Sequence, residues 1–391
     1  MCEDRFWQIR QLVQAWKDNM RDRFMPSWIS CLDESMSVWL SMHTCPGWMC
    51  LPRKPHPFGN EWNAICCGLS GIVFDVELAE GDNNAPPERL RPPHSDKGPT
   101  GGLLLRLTKT IHHTGKAVIL DSEFCVLEAS IALKKMGVFV TSVIKTRRCW
   151  PTHCPGCRCD TKMGPLAVGT VGAIKRAHDN VPCHIFLLRD AEWVSKLFAT
   201  CGTTTPDVDT LQRCRRSRDG TESRFHHTDF VHNHCACRHA VDDHNNLRQS
   251  DLSLEDTWRT QRWENRVFAF ILAISEINTF LAFRYFVSTD ETKMTVLQFR
   301  RKLAKALIFN ELVDEDGDCD DVSPLRKRRR QQARGESHVL APAPPHASAH
   351  ANGKWLLTCK AKYPQHKCKT CPAKMQSSCS CSLGQSMLLQ L

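Results

Sequence analysis

The sequence predicts an α/β fold in which helices pack on a β-sheet. Between residues 28 and 144, the predicted order is strand, hairpin, helix, strand, helix, strand, which is typical of a sheet covered by helices. The chain has 391 residues, of which 41% are hydrophobic and 24% are charged. It can therefore bury a substantial core, and disorder throughout is excluded. At about 150 residues per domain, this length allows two or three domains.

Each element of the first half has its own local signal. Helices are predicted where apolar residues recur every three or four positions, and strands where short apolar runs are bounded by Gly, Pro or Asp. In chain order these signals predict a helix over 1–25, a strand over 28–33, a hairpin with strands over 63–69 and 72–78, a helix over 102–113, a strand over 117–121, a helix over 123–136 and a strand over 138–144. The first strand thus ends at Asp33 and the fourth at Asp121.

The second half gives weaker signals. Residues 150–235 are less regular and contain one predicted hairpin over 184–198, and helices follow over 235–249, 258–286 and 298–310. The longest apolar stretch, Val267 to Phe283, is interrupted by polar residues and falls short of the roughly 18 residues that span a bilayer. The first ten residues carry acids and Trp where a signal peptide would be basic and then apolar. We therefore expect neither a secreted nor a membrane protein.

The excess of positive charge is concentrated near the C-terminus. Lys and Arg number 52 and Asp and Glu 42, so the formal charge is 52 − 42 = +10. Residues 326–330 form a basic cluster between an acidic run and a stretch rich in Ala, Pro, His and Ser, which predicts a disordered linker over 311–354. The cluster predicts a nuclear localisation signal or a nucleic-acid contact, and a solvated linker is the alternative.

Three aspartates occupy positions typical of metal-binding catalytic acids. Asp33 and Asp121 end predicted strands, and Asp242 lies at the start of a predicted helix. Carboxylates that meet at one point repel one another unless cations neutralise them, and Mg²⁺ or Mn²⁺ prefers such oxygen ligands. Two ions about 3.5–4 Å apart serve phosphoryl transfer. By spacing alone, an acid in a surface turn is the commoner explanation, so the surrounding motifs decide.

The motifs around these acids resemble those of piggyBac-type transposases, which are DDE/DDD recombinases with an RNase H-like catalytic domain. Asp33 begins DESM, and the downstream LPRKPHPFG resembles the family's Pro-Lys-Pro-His-x-x-Gly segment, with Lys54, His56 and Gly59 at matching positions. The stretch GKAVILDSEFCVLEASIALKKMGVFVTSVIK resembles the family's strand–Asp–helix–strand unit, and HAVDDHNNLRQ precedes a Trp-rich helical stretch. These matches cover most of residues 4–310 in the family's order.

The resemblance implies a specific chemistry. Asp33, Asp121 and Asp242 match the family's catalytic acids, which implies Mg²⁺- or Mn²⁺-dependent cut-and-paste transposition: strand nicking, hairpin formation at the element end and joining at TTAA targets. Asn245 stands where some members carry a further Asp, and His239-Ala240 replaces a common Gly-Gly pair. These departures imply weaker metal binding. The implied partners are transposon-end and target DNA, without a membrane.

The resemblance also implies the domain organisation. Residues 1–26 are a shortened dimerisation and DNA-binding segment, which weakens an expected homodimer, and residues 27–310 are an RNase H-like core with helical flanks. An insertion at about 150–235 separates the second acid from the third. The basic residues expected to contact DNA phosphates are Lys54, Lys145, Arg147, Arg148, Arg213, Arg215, Arg216 and Arg218, although each one alone is equally well explained as a solvated charge.

The cysteine content calls for a separate explanation. The chain has 22 Cys and 18 His but only 2 Tyr, and a chain without a signal peptide is expected to hold reduced thiols or metal ligands. The C-terminal tail, 355–391, is predicted to bind one Zn²⁺, with a degenerate tail as the alternative; its candidate ligands are Cys359, Cys368, Cys371, Cys379 and Cys381. For the other cysteines our hypothesis is drift in a decaying copy, because single transitions convert Tyr codons to Cys or His codons.

Three functional interpretations stay open from the sequence. The three acids favour an active transposase. The short N-terminal segment and the short cysteine tail favour a catalytically inactive, nuclear DNA-binding protein that descends from one. An unrelated RNase H-like nuclease would require the DESM and Lys-Pro-His matches to be coincidental.

Overall fold

The computed structural model describes residues 4–80, 94–144, 156–190, 192–203, 212–216, 220, 222–287, 293–309 and 357–358. The helices of these ranges are α1 (Trp7–Arg23), α2 (Gly98–Leu107), α3 (Leu127–Lys135), α4 (Gly156–Met163), α5 (Asp229–Cys237), α6 (Ala240–Arg248), α7 (Leu254–Thr257), α8 (Trp263–Phe286) and α9 (Val296–Phe309). The strands are β1 (Phe24–Met25), β2 (Ile29–Val38), β3 (Met49–Cys50), β4 (Phe58–Cys67), β5 (Val73–Leu78), β6 (Ala117–Leu120), β7 (Phe139–Val143), β8 (Val171–His178), β9 (Val181–Arg189), β10 (Val194–Ala199), β11 (Gln212–Arg216), β12 (Glu222–His226) and β13 (Leu357–Thr358).

A mixed sheet of nine strands organises the described part of the chain. Its order is β3-β4-β2-β6-β7-β10-β9-β8, and β5 pairs with β4 on the same edge as β3, opposite β2. The strands β2, β6 and β7 are parallel to one another, whereas the pairings of β4 with β2 and of β10 with β7 are antiparallel. The molecule is therefore of the predicted α/β class. Two short sheets, β1 with β13 and β11 with β12, lie apart from it.

The strand that carries Asp33 is longer than the sequence predicts. We expected it to end at Asp33, but β2 continues to Val38, so this expectation is wrong. The reason is that β2 has two different neighbours: its parallel pairing with β6 ends at Leu32 opposite Leu120, while its antiparallel pairing with β4 continues to Val38 opposite Gly59. Asp33 is therefore the first residue beyond the parallel pair and still lies inside a strand.

Most of the locally signalled elements are confirmed. The predicted hairpins correspond to β4 with β5 and to β9 with β10. Through β8, β9 and β10 the irregular region between the second and third acids extends the central sheet beyond β7. The single helix predicted over 235–249 is two helices, because the chain turns at Arg238-His239 between α5 and α6.

The long helix α8 packs as the central helix of the fold. Its buried residues lie against β5 and α1, where Asn278 Nδ2 donates to the Val73 carbonyl (2.7 Å) and Trp16 Nε1 donates to Ser275 Oγ (3.0 Å). Among the described helices, α8 is the one that is long and apolar enough to cross a membrane. Most of that stretch is buried inside the fold, as in the core helix of many proteins, so its composition is weak evidence for a span.

Candidate active site

The first two acids follow the ends of a parallel strand pair. Asp33 comes directly after Leu32 in β2, and Asp121 comes directly after Leu120 in β6, where the register pairs Leu32 with Leu120. In a parallel pair, two residues that each follow directly paired positions lie at the same edge of the sheet. Asp121 leaves β6 into a short 3₁₀ turn, and its carbonyl accepts a hydrogen bond from Ser142 Oγ of β7 (3.3 Å).

The third acid is brought to β2 by helix α6. Asp242 lies in the first turn of α6, as the sequence predicts. Asn245, one turn further along, donates through Nδ2 to the Glu34 carbonyl (3.2 Å) and accepts through Oδ1 from Ser35 Oγ (2.7 Å). The amide oxygen of Asn245, at the position where some members carry a further Asp, is therefore already bonded to β2. Its role in this structure is to fasten the helix of Asp242 beside Asp33.

The hydrogen bonds of Asn245 hold the helix of Asp242 against the strand of Asp33. Burial raises the pKa of Asp33 to about 6, the Glu34 backbone N–H (2.8 Å from Asp33 Oδ1) opposes that rise, and the Asp242 carboxylate adds to it. Asp242 itself is about half exposed, with a side-chain exposure of 49%. The site therefore has a mostly buried acid, Asp33, and a solvent-facing acid, Asp242, that repel each other.

A lysine from the β3–β4 loop completes the charge pattern. Lys54 Nζ lies 3.1 Å from Glu34 Oε2. Burial alone would lower the pKa of Lys54, but Glu34, and then Asp33 and Asp242, raise it above its ordinary value. On β4, burial and then the Glu34 carboxylate raise the pKa of Glu61 to about 7, and Lys54 opposes that rise. One ammonium group thus lies within the field of four carboxyl groups.

The loop that carries Lys54 has a rigid frame. The Leu51 N–H donates to the Pro57 carbonyl (2.7 Å), and the Lys54 N–H donates to the Leu51 carbonyl (3.0 Å). Gly59 has φ +146°, and a Cβ there would lie 2.0 Å from the Ser37 carbonyl oxygen. Only glycine fits this close approach of β4 to β2, which gives a physical reason for the glycine of the LPRKPHPFG segment.

The remaining predicted site residues fall into three groups. Asp121 follows the end of β6, and within the described ranges no group of three or more His, Cys, Asp or Glu side chains has a metal-binding arrangement. Arg213, Arg215 and Arg216 belong to β11, which pairs with β12 in a separate two-stranded sheet. The residues that lie outside the described ranges are Lys145, Arg147, Arg148, Arg218, Cys359, Cys368, Cys371, Cys379 and Cys381.

Two residues hold α6 against β2, a structural role that the sequence did not predict for them. They are Asn245 and Arg248, and Arg248 donates to Ser35 Oγ (3.2 Å) and to the Met36 carbonyl (3.0 Å). Together with Asp242 they recur every three residues, which places them on one side of a helix. This spacing could have indicated from the sequence that the three residues act together, although it does not show which strand the helix faces.

The cysteines near the site are core residues. Cys31 lies directly across from Cys66 in the β2–β4 pair, and Cys237 of α5 packs against β2 close to them. Burial raises the pKa of Cys66 well above its ordinary value and that of Cys237 to about 12. These thiols are therefore protonated at neutral pH and behave as small apolar side chains.

The comparisons with known proteins agree with this architecture. A family model described as "Transposase IS4" matches residues 2–280, which is well over half of the chain. The chain belongs to this family of DDE transposases. The fold is similar to that of a piggyBac transposase in a cryo-EM structure of its synaptic complex with hairpin DNA, with a TM-score of 0.55 and 13% sequence identity over 93% of this chain and 67% of that one. The family model thus shows a transposase, and the structural match shows that its fold resembles that of a piggyBac transposase. No curated protein sequence matches the chain.

Proposed function

We propose that this transposase is a divalent-metal-dependent DNA strand transferase whose catalytic acids are Asp33, Asp121 and Asp242. The observation that carries the proposal is the contact between two segments that are far apart in the sequence. Asn245 of α6 bonds to Glu34 and Ser35 of β2, which places the helix of Asp242 beside the strand of Asp33. The register of β2 with β6 supports the inclusion of Asp121 at the same edge.

The fold supports an RNase H-like core. The strand order β5-β4-β2-β6-β7 gives three antiparallel strands followed by two more that run parallel to β2. The first acid lies in the central strand of these five, the second follows its parallel neighbour, and the third is supplied by a helix after the strands β8 to β12. The resemblance implies the same arrangement, in which an insertion separates the second acid from the third.

The acids fit Mg²⁺ or Mn²⁺ by type. They are hard oxygen donors, and burial, with a further contribution from the Asp242 carboxylate, raises the pKa of Asp33. A bound cation would offset both effects. Bound ions would activate a water or a 3′-hydroxyl and stabilise the leaving oxygen. The chain's own part is to hold Asp33 on the rigid sheet, Asp242 on a helix fastened to that sheet, and Asp121 at the neighbouring strand end.

Nucleic acid is the proposed substrate. The similar solved structure is a transposase bound to hairpin DNA, and we infer that this chain binds transposon ends and target DNA with Lys54 and the β11 arginines, Arg215 and Arg216, at phosphates. We further infer import into the nucleus through the 326–330 cluster, binding of one zinc ion by the C-terminal tail, and assembly as a homodimer.

Strand cleavage tests the catalytic assignment. Labelled DNA that carries the ends of the element would be incubated with the full chain and Mg²⁺, and nicked, hairpin and joined products would be measured. We expect Asp33→Asn, Asp121→Asn and Asp242→Asn each to abolish all three products while DNA binding remains. The matched control is Asp243→Asn, since Asp243 is the exposed neighbour of Asp242 and should be dispensable.

The outcomes separate the open interpretations. Equal cleavage by wild type and Asp121→Asn would refute the triad. No cleavage by the wild type, with end-specific DNA binding intact, would instead support the catalytically inactive DNA-binding descendant. Cleavage without any preference for element ends would favour an unrelated nuclease.

A further inference from the structure

Strands β2 and β4 continue as a two-stranded ribbon beyond the end of β6. The parallel pairing of β2 with β6 ends at Leu32, but its antiparallel pairing with β4 runs on to Val38. Val38 therefore lies about 17 Å along the strand from Asp33, at roughly 3.4 Å per residue. The segment 39–58 connects the two strands, and we call it the ribbon tip. Because β2 runs from Leu32 through Asp33 to Val38, the ribbon tip lies beyond the edge of the sheet where the candidate acids are proposed to act.

The ribbon tip carries two aromatic rings that are stacked in parallel. The ring centroids of Trp48 and Phe58 lie 5.8 Å apart, and the angle between their planes is 9°. Trp48 Nε1 donates to the Trp39 carbonyl (2.8 Å), and the Trp39 N–H donates to the Phe58 carbonyl (2.9 Å). Trp39 is itself held by a hydrogen bond from its Nε1 to Thr44 Oγ1 (3.0 Å). These bonds fix the two rings as a flat platform.

The platform is open to solvent. Phe58 is 38% exposed, and where the chain leaves β2, Leu40 is 78% and Met42 is 56% exposed. Large apolar side chains that are exposed singly are common on protein surfaces, whereas a group of them in one short segment is typical of a binding surface. The ribbon tip therefore has apolar area that a ligand can cover.

The charge of the ribbon tip selects the kind of ligand. Residues 39–58 contain Arg53, Lys54 and two histidines, but no Asp or Glu. Lys54 pairs with Glu34, while Arg53 and His43 are exposed. A basic surface with flat aromatic rings fits single-stranded nucleic acid, because cations attract the phosphates and unpaired bases stack on aromatic faces. In a duplex the faces of the bases are already covered by their neighbours, so the rings favour unpaired nucleotides.

We propose that the ribbon tip binds unpaired nucleotides of the DNA substrate, with a base stacked on Phe58 and the phosphate backbone at Arg53. This inference rests on the proposed function, because it concerns the DNA on which the chain would act. The distance of about 17 Å from Asp33 to the end of the ribbon equals the length of about five stacked nucleotides. The ribbon tip would therefore hold a strand that has separated from its complement near the candidate acids.

DNA binding without added divalent metal tests this inference in the absence of turnover. Fluorescence anisotropy would compare a labelled oligo-dT strand with its duplex, using the full-length protein at one fixed salt concentration. Phe58→Leu keeps an apolar side chain but removes the flat ring, so it should weaken single-strand binding by about tenfold and leave duplex binding within about twofold. Phe58→Trp keeps an aromatic face and should bind at least as tightly as the wild type. Arg53→Gln should weaken the binding of both forms and reduce its salt dependence.

A matched control and a second readout keep the test decisive. Phe268→Leu is the control, because Phe268 on α8 is 40% exposed and also contacts a tryptophan ring. It should bind single strands like the wild type. An oligonucleotide with 5-iodouracil in place of thymine would be photocrosslinked to the wild type, and mass spectrometry should find the crosslink at Phe58 or Trp48. Thermal unfolding shows whether each variant folds, and the crosslink decides the matter if Phe58→Leu does not.

The outcomes distinguish this inference from the proposed function. Equal single-strand affinity in the wild type and Phe58→Leu, an equal loss in Phe268→Leu, or a crosslink outside the ribbon tip would overturn the inference. A change of oligomeric state in Phe58→Leu, with single-strand affinity unchanged, would also overturn it and would assign the ribbon tip to contact with a second copy. In each case, cleavage of element ends that depends on Asp33 would leave the proposed function standing. A wild type that binds neither form of DNA would overturn both.

Discussion

Replacing Arg248 with methionine removes a buried cation that joins α6 to β2. The side chain is completely buried and forms an ion pair with Glu255, whose side chain is only 3% exposed. It also donates to Ser35 Oγ and the Met36 carbonyl, and its guanidinium carbon lies 4.7 Å from the centre of the Phe270 ring. The residue therefore connects the helix of Asp242, the strand of Asp33 and the core helix α8.

The size of the effect follows from the partner that is left behind. Burial lowers the pKa of Arg248 to about 9, so the guanidinium is still charged at neutral pH. Methionine fills much of the volume but leaves the Glu255 carboxylate buried without its cation. Breaking one side of a buried pair costs about 3–5 kcal/mol. For a domain of this size, that corresponds to a fall of about 10 °C in Tm.

Urea unfolding followed by tryptophan fluorescence measures this change. The double variant Arg248→Met/Glu255→Leu removes both charges and should regain at least about half of the lost stability. Arg262→Met is the control, because Arg262 is 68% exposed and its ion pair with Glu264 should be worth under about 1 kcal/mol. A loss below about 1 kcal/mol for Arg248→Met, or a double variant as unstable as the sum of the single variants, would refute the reasoning.

Three further predictions concern stability. The pKa of Asp33 in the folded protein is about 6, above the ordinary 3.8, so ionisation of Asp33 destabilises the metal-free fold as the pH rises from 4 to 6. Asp33→Asn should therefore raise the free energy of unfolding by about 3 kcal/mol at pH 7.5 and leave it unchanged below pH 4. Urea unfolding at both pH values measures this difference. Gly59→Ala should lower Tm far more than Gly115→Ala, which has φ +70° but open space around it and should cost about 1 kcal/mol. Arg300→Ala should release α9, because Arg300 pairs with buried Glu276 and donates to the carbonyls of Arg248, the last residue of α6, and of Asp251 beyond it. Faster proteolysis after α8 would show this, and an unchanged digestion pattern would contradict it.

The strands and hairpins could be predicted because their signals are local. An apolar run with a turn after it, such as 63–78 or 184–198, specifies a hairpin through neighbouring residues alone. The end of β2 could not be predicted in this way. It depends on β4, which continues to pair with β2 after β6 has diverged. The sequence WISCLD predicts a strand that ends at Asp33, whereas in the structure Asp33 lies inside β2.

The contacts between segments that are distant in the sequence were harder to predict. Residues 171–199 were predicted to contain a hairpin, but their addition to the central sheet depends on the pairing of β10 with β7 across more than 50 residues. Similarly, the apolar pattern of 235–249 fits one helix as well as two. The break at Arg238-His239 places α5 and α6 separately against the sheet, and the Arg238 carbonyl accepts a bond from Cys31 Sγ (3.4 Å).

The four residues of DESM show why the acids were easier to find than their support. Side chains alternate between the two faces of a strand, and the contacts of this segment alternate in the same way. Asp33 and Ser35 face α6, where they meet the field of Asp242 and the amide of Asn245, while Glu34 turns to the lysine loop. Met36 contributes its carbonyl to Arg248. The proposed chemistry demands a carboxylate at Asp33, so that residue stands out in the sequence. The serine, the glutamate and the methionine that follow it acquire their roles only from the helix and the loop that fold against them.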